Sequence, residues 1–148
     1  MDNVKKDNYE IKLVKNWDEE EIIILYKSAG WWKERYNPKA INKMIKGSFA
    51  FAVVIETKSN KTVGMGRVIS DGISDAYIQD LVVLPEHRLK GIGRLIVKNL
   101  LEFCFNKKIE WIGLIAEPEQ DGFYESLGFS KMINYTPMLY GAEKNDIT

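Results

Sequence analysis

The sequence predicts one mixed α/β (α+β) domain spanning residues 1–148, with a mostly antiparallel, twisted central sheet of about six or seven strands flanked by about four helices. Three observations lead to this prediction. The length of 148 residues suits a single hydrophobic core. Short segments of alternating apolar and polar residues are separated by turn signals, as in antiparallel strands. One longer segment, Ile92 to Asn106, changes to helical periodicity and precedes another strand pattern, which indicates a strand–helix–strand unit.

The first predicted elements are a strand and two helices. Tyr9 to Val14 alternates as a half-buried strand does. Asp18 can cap a helix with an acidic first turn, and that helix should end near Gly30. Pro38 suits the first turn of a second helix, for which Gly47 is the stop signal.

Three strands follow in the middle of the chain. Phe49 to Glu56 and Thr62 to Ser70 flank a polar turn and predict a hairpin. Ala76 to Leu84 predicts the next strand, which Pro85 ends.

The second half of the chain predicts a long helix and several shorter elements. These are the helix Ile92–Asn106, a strand Trp111–Ala116, a short helix Gln120–Leu127, and two last strands, Phe129–Ile133 and Pro137–Tyr140. Residues 1–8 and 141–148 are predicted to be flexible ends. Four residues in or between these last strands are candidates for a homodimer contact: Met132, Tyr135, Met138 and Tyr140.

The composition excludes several classes of function. Lys+Arg and Asp+Glu both number 21, and a net charge of zero removes the electrostatic case for nucleic acid or an anionic membrane as partner. The apolar runs are too short to span a bilayer. The single cysteine, Cys104, lies on an apolar helix face and predicts a core thiol in a reducing, cytoplasmic compartment. With one cysteine and one histidine, His87, which we expect to be a solvated loop residue, no metal site is expected.

The segment between the strand at Ala76–Leu84 and the helix at Ile92–Asn106 carries the clearest chemical signal. It reads Pro85-Glu86-His87-Arg88-Leu89-Lys90-Gly91-Ile92-Gly93-Arg94. A helix start presents unpaired N–H groups and the positive end of the helix dipole, and glycines let a ligand approach the backbone. With three basic side chains nearby, the segment suits a pyrophosphate.

Two familiar phosphate motifs do not fit this loop. A Walker A loop ends in Gly-Lys-Ser/Thr, whereas Lys90 precedes Gly91 here. A dinucleotide fingerprint needs a third glycine where Ile96 stands. Taken alone, the loop fits a tight turn before a close-packed helix equally well.

The loop nevertheless resembles the GNAT superfamily of N-acetyltransferases. Their acetyl-CoA signature, Gln/Arg-x-x-Gly-x-Gly/Ala, is matched by Arg88-Leu89-Lys90-Gly91-Ile92-Gly93. A second segment, Gly122-Phe123-Tyr124-Glu125-Ser126-Leu127-Gly128-Phe129, is similar to the family's Phe-Tyr-x-x-x-Gly-Phe. The predicted elements follow the family's order across nearly the whole chain. The resemblance implies splayed middle strands and direct transfer of an acetyl group from acetyl-CoA, without a metal, to a primary amine.

The resemblance also implies which residues bind the donor. Backbone N–H groups of Lys90, Gly91, Ile92, Gly93 and Arg94, in the loop that begins with Arg88 and Leu89, would bind the pyrophosphate. Main-chain groups of Leu81, Val82 and Val83 would pair with the pantetheine arm. Departing from the family, the loop Ala116-Glu117-Pro118-Glu119-Gln120-Asp121 has no asparagine.

The resemblance gives Tyr124 the role of the acid that protonates the leaving thiolate. A phenol with a pKa of roughly 10 can donate to a thiolate whose conjugate acid has a pKa of roughly 8.5 or above. The other interpretation of Tyr124 is an aromatic core residue whose hydroxyl bonds to the backbone.

An alkylamine is protonated at neutral pH and must lose a proton before it attacks. Asp80 interrupts an apolar strand and is the first candidate for the base, but it could equally pair with an arginine such as Arg67. Glu117 is the second candidate for the base, and its other interpretation is a solvated charge in a loop. Asp71 is the third candidate, and its other interpretation is a residue that stabilises a turn.

The acceptor is expected near the first two helices, where the chain contains Tyr26, Trp31 and Trp32. These side chains could form a wall for an aromatic or cationic small amine, or Trp31 could pack in the core with Trp32 covering it. Together with Gly64-Met65-Gly66-Arg67, Ser70-Asp71 and Asp80-Leu81-Val82, they resemble a microbial and plant GNAT subgroup that includes arylalkylamine (serotonin) acetyltransferases. The alternatives are a protein lysine or N-terminal amine as acceptor, and, in another class, a non-catalytic CoA-binding or sensing module.

Overall fold

The computed structural model describes residues 4–142, which divide into two compact units, residues 4–114 and 115–142. In the first unit six strands form one sheet, in chain order: β1 Val4–Lys6, β2 Tyr9–Leu13, β3 Ala50–Glu56, β4 Lys61–Ile69, β5 Asp75–Val83 and β6 Trp111–Gly113. Neighbouring strands from β1 to β5 are antiparallel, and β6 joins β5 in parallel. The mixed α/β fold predicted from the sequence is therefore confirmed.

The helices of the described residues lie near their predicted positions, although the second begins at Ala40, after Pro38, and contains Gly47, and the last is shorter than Gln120–Leu127. They are α1 Glu19–Ser28, α2 Ala40–Gly47, α3 Ile92–Asn106 and, in the second unit, α4 Asp121–Glu125, with a 3-10 turn at Pro85–His87. The Asp18 carboxylate accepts the Glu21 N–H at 3.0 Å, and α1 is followed by Gly30 in the left-handed conformation (φ 77°). No helix within residues 4–142 is long and apolar enough to cross a membrane.

The sheet buries both of its faces. On one face α1 and α2 place Ile22, Leu25 and Ile45 against Phe51 and Met65. On the other face α3 buries five side chains: Ile92, Ile96, Val97, Leu100 and Cys104. The polar strand residue Thr62 is buried, and its hydroxyl oxygen accepts a hydrogen bond from Trp17 Nε1 at 2.8 Å.

Glycines in β4 set how closely α3 approaches the sheet. A Cβ built on Gly66 would lie 2.7 Å from Cγ2 of Ile96, and one on Gly64 would lie 3.2 Å from Cδ1 of the same side chain. Because real side chains do not approach as closely as 2.7 Å, the position of α3 requires glycine at residue 66, whereas a Cβ at residue 64 would make its neighbours shift by a few tenths of an ångström. The same packing fixes where the N-terminus of α3 stands.

Three predictions about the chain ends are corrected. The segments Phe129–Ile133 and Pro137–Tyr140 are not strands, because alternation alone makes no ladder and these segments find no strand partner within residues 4–142. The strand at Trp111 stops at Gly113 instead of Ala116. Val4–Lys6 lies in the N-terminal segment that was predicted to be flexible, but it pairs with β2. The chain reverses between these strands at Asp7, which has a left-handed conformation (φ 52°). Residues 1–3 and 143–148 lie outside the described residues.

We expect Gly66→Ala to lower the free energy of unfolding by about 1–3 kcal/mol, because the added methyl group overpacks the contact with Ile96. Gly47→Ala is the matched control, since nothing lies within 4 Å of a Cβ there and alanine favours a helix. Urea unfolding measures both. Equal effects of the two substitutions would contradict the packing role of Gly66.

Candidate active site

A β-bulge interrupts β5 beside its partner β4. Arg67 is opposite Gln79 and Met65 is opposite Val82, so Asp80 and Leu81 together face the single residue Gly66. Asp80 has φ 58°, a left-handed conformation that aspartate tolerates better than most residues. A bulge bends its strand and redirects side chains, and this one sends Asp80 towards α1 while Leu81 packs beside Gly66.

The Asp80 carboxylate is held by two donors. Arg67 Nε donates to Oδ2 at 2.7 Å, and the Tyr26 hydroxyl donates to the same oxygen at 2.8 Å. The pairing with Arg67 that the sequence left open is therefore present. Asp80 keeps access to solvent, with 21% of its side chain exposed, and its Oδ1 has no hydrogen-bond partner within residues 4–142. Burial, followed by the charge of Asp80, raises the pKa of Tyr26 well above its usual value.

Strands β5 and β6 pair over a short ladder and then separate. Their pairing covers only Asp75 to Tyr77 on β5, so the stretch that holds Leu81, Val82 and Val83 has no β6 neighbour. The Leu84 N–H bonds to Val63 in β4, and main-chain groups alternate in direction along a strand. The main-chain groups of Val83 therefore face the open side, where its N–H can pair with an extended ligand while its carbonyl accepts a hydrogen bond from Arg88 Nε. The splayed middle strands that the resemblance implies are confirmed here.

The glycine loop presents main-chain donors at the start of α3. Leu89 (φ 62°) and Gly91 (φ 79°) both take left-handed conformations, and Gly91 is the N-terminal cap residue of α3. The N–H groups of Ile92 and Gly93 make no hydrogen bond within residues 4–142. Successive free N–H groups in such a turn form a concave site for anions, so the main chain fits a pyrophosphate.

The basic side chains of the loop have different roles. Arg88 Nε donates to the Val83 carbonyl at 3.1 Å, which ties the loop to the end of β5. Lys90 is exposed, and Arg94 is partly buried on the first turn of α3. Sequence reasoning missed Lys6 of β1, whose Nζ lies 2.5 Å from the position that a Cβ on Gly91 would take. No local sequence signal could find Lys6, because a strand pairing brings it to the loop.

His87 is not the solvated loop residue that the sequence predicted. Its Nδ1 lies 2.8 Å from the Tyr9 hydroxyl, and its Nε2 lies 4.0 Å from Glu56 Oε2. Only 17% of its side chain is exposed. The ring packs edge-on against Tyr9 and therefore anchors the entry to the loop on β2 and β3.

In the second unit, Tyr124 lies on α4 between two aromatic rings. Its ring meets Phe123 and Phe129 edge-on, with centroids 5.0 and 5.8 Å away. The Tyr124 hydroxyl has no hydrogen-bond partner within residues 4–142, so it is not the backbone-bonded core phenol of the other interpretation. Burial and the charge of Glu117, which is exposed in the preceding loop, raise the pKa of Tyr124 above its usual value.

The remaining candidates lie in the first unit. Trp31 and Trp32 are partly buried against the α1–α2 core, as the second interpretation expected, and Trp32 meets Tyr36 edge-on. Asp71 accepts the Ile73 N–H at 2.8 Å and is a turn residue. Cys104 is fully buried, as predicted, and burial raises the pKa of its thiol to about 11, so it stays protonated and is a poor nucleophile.

Comparison with known proteins decides the family. A family model described as an acetyltransferase (GNAT) domain matches residues 14–137. The chain belongs to the GNAT acetyltransferase family. It is 33% identical over 119 residues to the "Uncharacterized N-acetyltransferase ycf52" of Pyropia yezoensis, an alignment that covers 79% of this chain and 67% of that protein.

Two further similarities bear on this GNAT protein. A GNAT family acetyltransferase from Streptococcus pneumoniae TIGR4 has a TM-score of 0.75 and 27% identity, covering 89% of this chain and 96% of that one. "Serotonin N-acetyltransferase 2, chloroplastic" of Oryza sativa subsp. japonica is 34% identical over 74 residues, which are 50% of this chain and 37% of that protein. The protein is thus an acetyltransferase. GNAT acetyltransferases use acetyl-CoA, and no group of three or more metal-binding side chains occurs in the described part of the chain.

Gly91→Glu should abolish CoA binding, because it places bulk and negative charge where the pyrophosphate would meet the start of α3. Gly30→Glu is a matched control: Gly30 has nearly the same φ (77°) and nothing within 4 Å of a Cβ, so the backbone strain is equal. Isothermal titration with CoA measures both variants. Unchanged affinity in Gly91→Glu, or equal loss in both, would rule out the loop as the pyrophosphate site.

Proposed function

We propose that this acetyltransferase moves the acetyl group of acetyl-CoA directly to the primary amine of a small molecule. The observation that carries the donor assignment is the set of free N–H groups at Ile92 and Gly93, beside the unpaired edge of β5. Together they suit a ligand with a pyrophosphate followed by an extended, amide-containing arm. CoA combines these features.

In the proposed reaction, the main chain of Leu81, Val82 and Val83 binds the pantetheine arm, and the segment from Arg88 to Arg94 binds the pyrophosphate. Asp80 accepts a proton from the acceptor ammonium, directly or through water, with Glu117 as the second choice. The free amine then attacks the thioester carbonyl, a C–N bond forms, and the C–S bond breaks. Tyr124 donates its proton to the leaving thiolate, a role that the family resemblance implies and that its free hydroxyl supports. The new amide nitrogen loses its remaining extra proton, and this proton restores the phenol of Tyr124 after that residue has protonated the leaving thiolate.

A small amine is favoured as the acceptor by the surroundings of the bulge. Asp80 lies at the end of a short polar network with Arg67 and Tyr26, next to the apolar α1–α2 core where Trp31 and Trp32 pack. The similarity to the rice serotonin acetyltransferase supports an arylalkylamine, although it spans half of this chain. A protein lysine or N-terminal amine is the alternative acceptor, and a CoA-binding or sensing module without turnover is the alternative of another class.

A CoA-release assay separates these possibilities. The wild-type protein is offered arylalkylamines, polyamines, aminoglycosides and lysine-containing peptides, and free thiol is measured. We expect turnover with a small amine. Turnover with peptides alone supports the protein acceptor, and CoA binding without thiol release from any amine supports the sensing module.

The buried, protonated Cys104 supports a reducing, cytoplasmic location in the same proposal.

We expect Tyr124→Phe to lower kcat by roughly 10²-fold while leaving the Kd for acetyl-CoA nearly unchanged, because the substitution removes only the proton donor. Tyr77→Phe, at a half-exposed position on β5, is the control and should keep wild-type kcat. Because burial and Glu117 raise the pKa of Tyr124, its neutral form should persist to above pH 10. Wild-type turnover in Tyr124→Phe would exclude it as the acid.

Asp80→Asn should depress the rate most at low pH, where free amine is scarcest and a base is needed most. Asparagine keeps the shape and the tolerance of the left-handed conformation, so the bulge is expected to persist. Asp71→Asn, in the β4–β5 turn, is the matched control. If the variant's pH–rate profile keeps the wild-type shape and is lowered uniformly, Asp80 is not the base and acts only through its ion pair with Arg67.

A further inference from the structure

Lys6 lies on the same side of the sheet as α3, although it belongs to the first strand. It is paired with Tyr9 across the β1–β2 ladder, and directly opposite residues of an antiparallel pair point to the same face of the sheet. The Tyr9 hydroxyl reaches His87 at the entry to the glycine loop, so this face is the one that carries the loop. The strand pairing therefore directs the Lys6 side chain towards the start of α3.

The ammonium group of Lys6 ends directly against the glycine loop. Its Nζ lies 2.5 Å, and its Cε 3.8 Å, from the position that a Cβ on Gly91 would take. The missing side chain of Gly91 leaves room for this ammonium. Because Gly91 immediately precedes the free N–H groups of Ile92 and Gly93, a positive charge and two main-chain donors come to neighbouring positions.

The charge of Lys6 is not balanced by a protein partner. Its ammonium makes no hydrogen bond or ion pair within residues 4–142. The first turn of α3 has no acidic residue, and the loop before it carries Arg88 and Lys90 against one carboxylate, Glu86. Since the N-terminus of a helix is the positive end of its dipole, an unpaired ammonium there is electrostatically unfavourable until an anion binds. The placement of Lys6 therefore favours an anionic ligand.

We propose that Lys6 binds the pyrophosphate of acetyl-CoA, which makes the β1–β2 hairpin part of the donor site. This assignment rests on the proposed function and extends the donor site to a residue outside the glycine loop. A pyrophosphate has two phosphate groups, so one can accept hydrogen bonds from the main chain of Ile92 and Gly93 while the other contacts the ammonium. Hydrogen bonds from an ammonium to a phosphate are stronger than those from neutral donors.

Isothermal titration of the full chain with CoA and with dephospho-CoA tests the proposal, because dephospho-CoA lacks the 3′-phosphate but keeps the pyrophosphate. We expect Lys6→Gln to weaken the binding of both ligands equally, by roughly tenfold at low salt, since a charge-assisted hydrogen bond is lost. The difference from the wild type should shrink as the ionic strength rises. Lys6→Arg keeps the positive charge and should retain most of the affinity.

Lys12→Gln is the matched control, because Lys12 belongs to the same hairpin but lies on the other face of the sheet. Its Nζ is placed 6.0 Å from the centre of the Trp17 ring, which packs against the α1–α2 core. This variant should bind both ligands as the wild type does. Urea unfolding and circular dichroism establish that the variants keep the fold and its stability.

The outcomes distinguish this assignment from the proposed function. If the wild-type protein binds neither ligand, the proposed function fails, and the assignment of Lys6 fails with it. If the wild type binds CoA and Lys6→Gln binds it equally well, or with a loss that is independent of salt, only the assignment of Lys6 is wrong. A loss for CoA but not for dephospho-CoA would place Lys6 on the 3′-phosphate and overturn the pyrophosphate contact. An equal loss in Lys12→Gln would also overturn it.

Discussion

Between Gln79 and Val82, strand β5 carries two residues where β4 has only Gly66, and the geometry of the donor side depends on that insertion. The bulge turns Asp80 towards Tyr26 and Leu81 towards α3, so that neighbouring residues serve opposite faces of the sheet. It occurs where β5 has parted from β6, so the main chain that follows has no strand partner on its β6 side. The ion pair with Arg67 and the hydrogen bond from Tyr26 offset the cost of the left-handed backbone at Asp80.

The glycine loop depends on the same strand pair for its position. Gly64 and Gly66 let α3 pack close to β4, which places the N-terminus of α3 next to the open edge of β5. Arg88 ties the loop to Val83, and His87 fixes its entry on Tyr9. Since the loop is held at both ends before any ligand arrives, its N–H groups are preorganised, and less conformational entropy is lost on binding.

Local signals explain what the sequence predicted. Helix α3 was predicted to the residue because its period, its glycine start and its polar end agree, and the loop was recognised because left-handed glycine at a helix start is a local requirement. Tertiary pairings explain what it missed. Tyr9 and His87 are 78 positions apart, and Lys6 reaches Gly91 only because β1 joins the sheet. The last two strands were predicted wrongly because a strand needs a partner as well as a pattern.

The sequence identifies the donor site more fully than the acceptor site, and this difference has a physical cause. Main-chain groups bind the donor, and a few glycines with left-handed conformations encode their geometry, so a short motif reveals them. Side chains select the acceptor, and the hydrogen bonds and ion pairs that they make with neighbouring residues determine which groups remain available to bind it. The Tyr26 hydroxyl is already occupied by Asp80, and the Asp80 carboxylate is already paired with Arg67. A carboxylate neutralised in this way attracts an ammonium ion weakly, and under the proposed function the acceptor must therefore gain most of its binding free energy from apolar contacts.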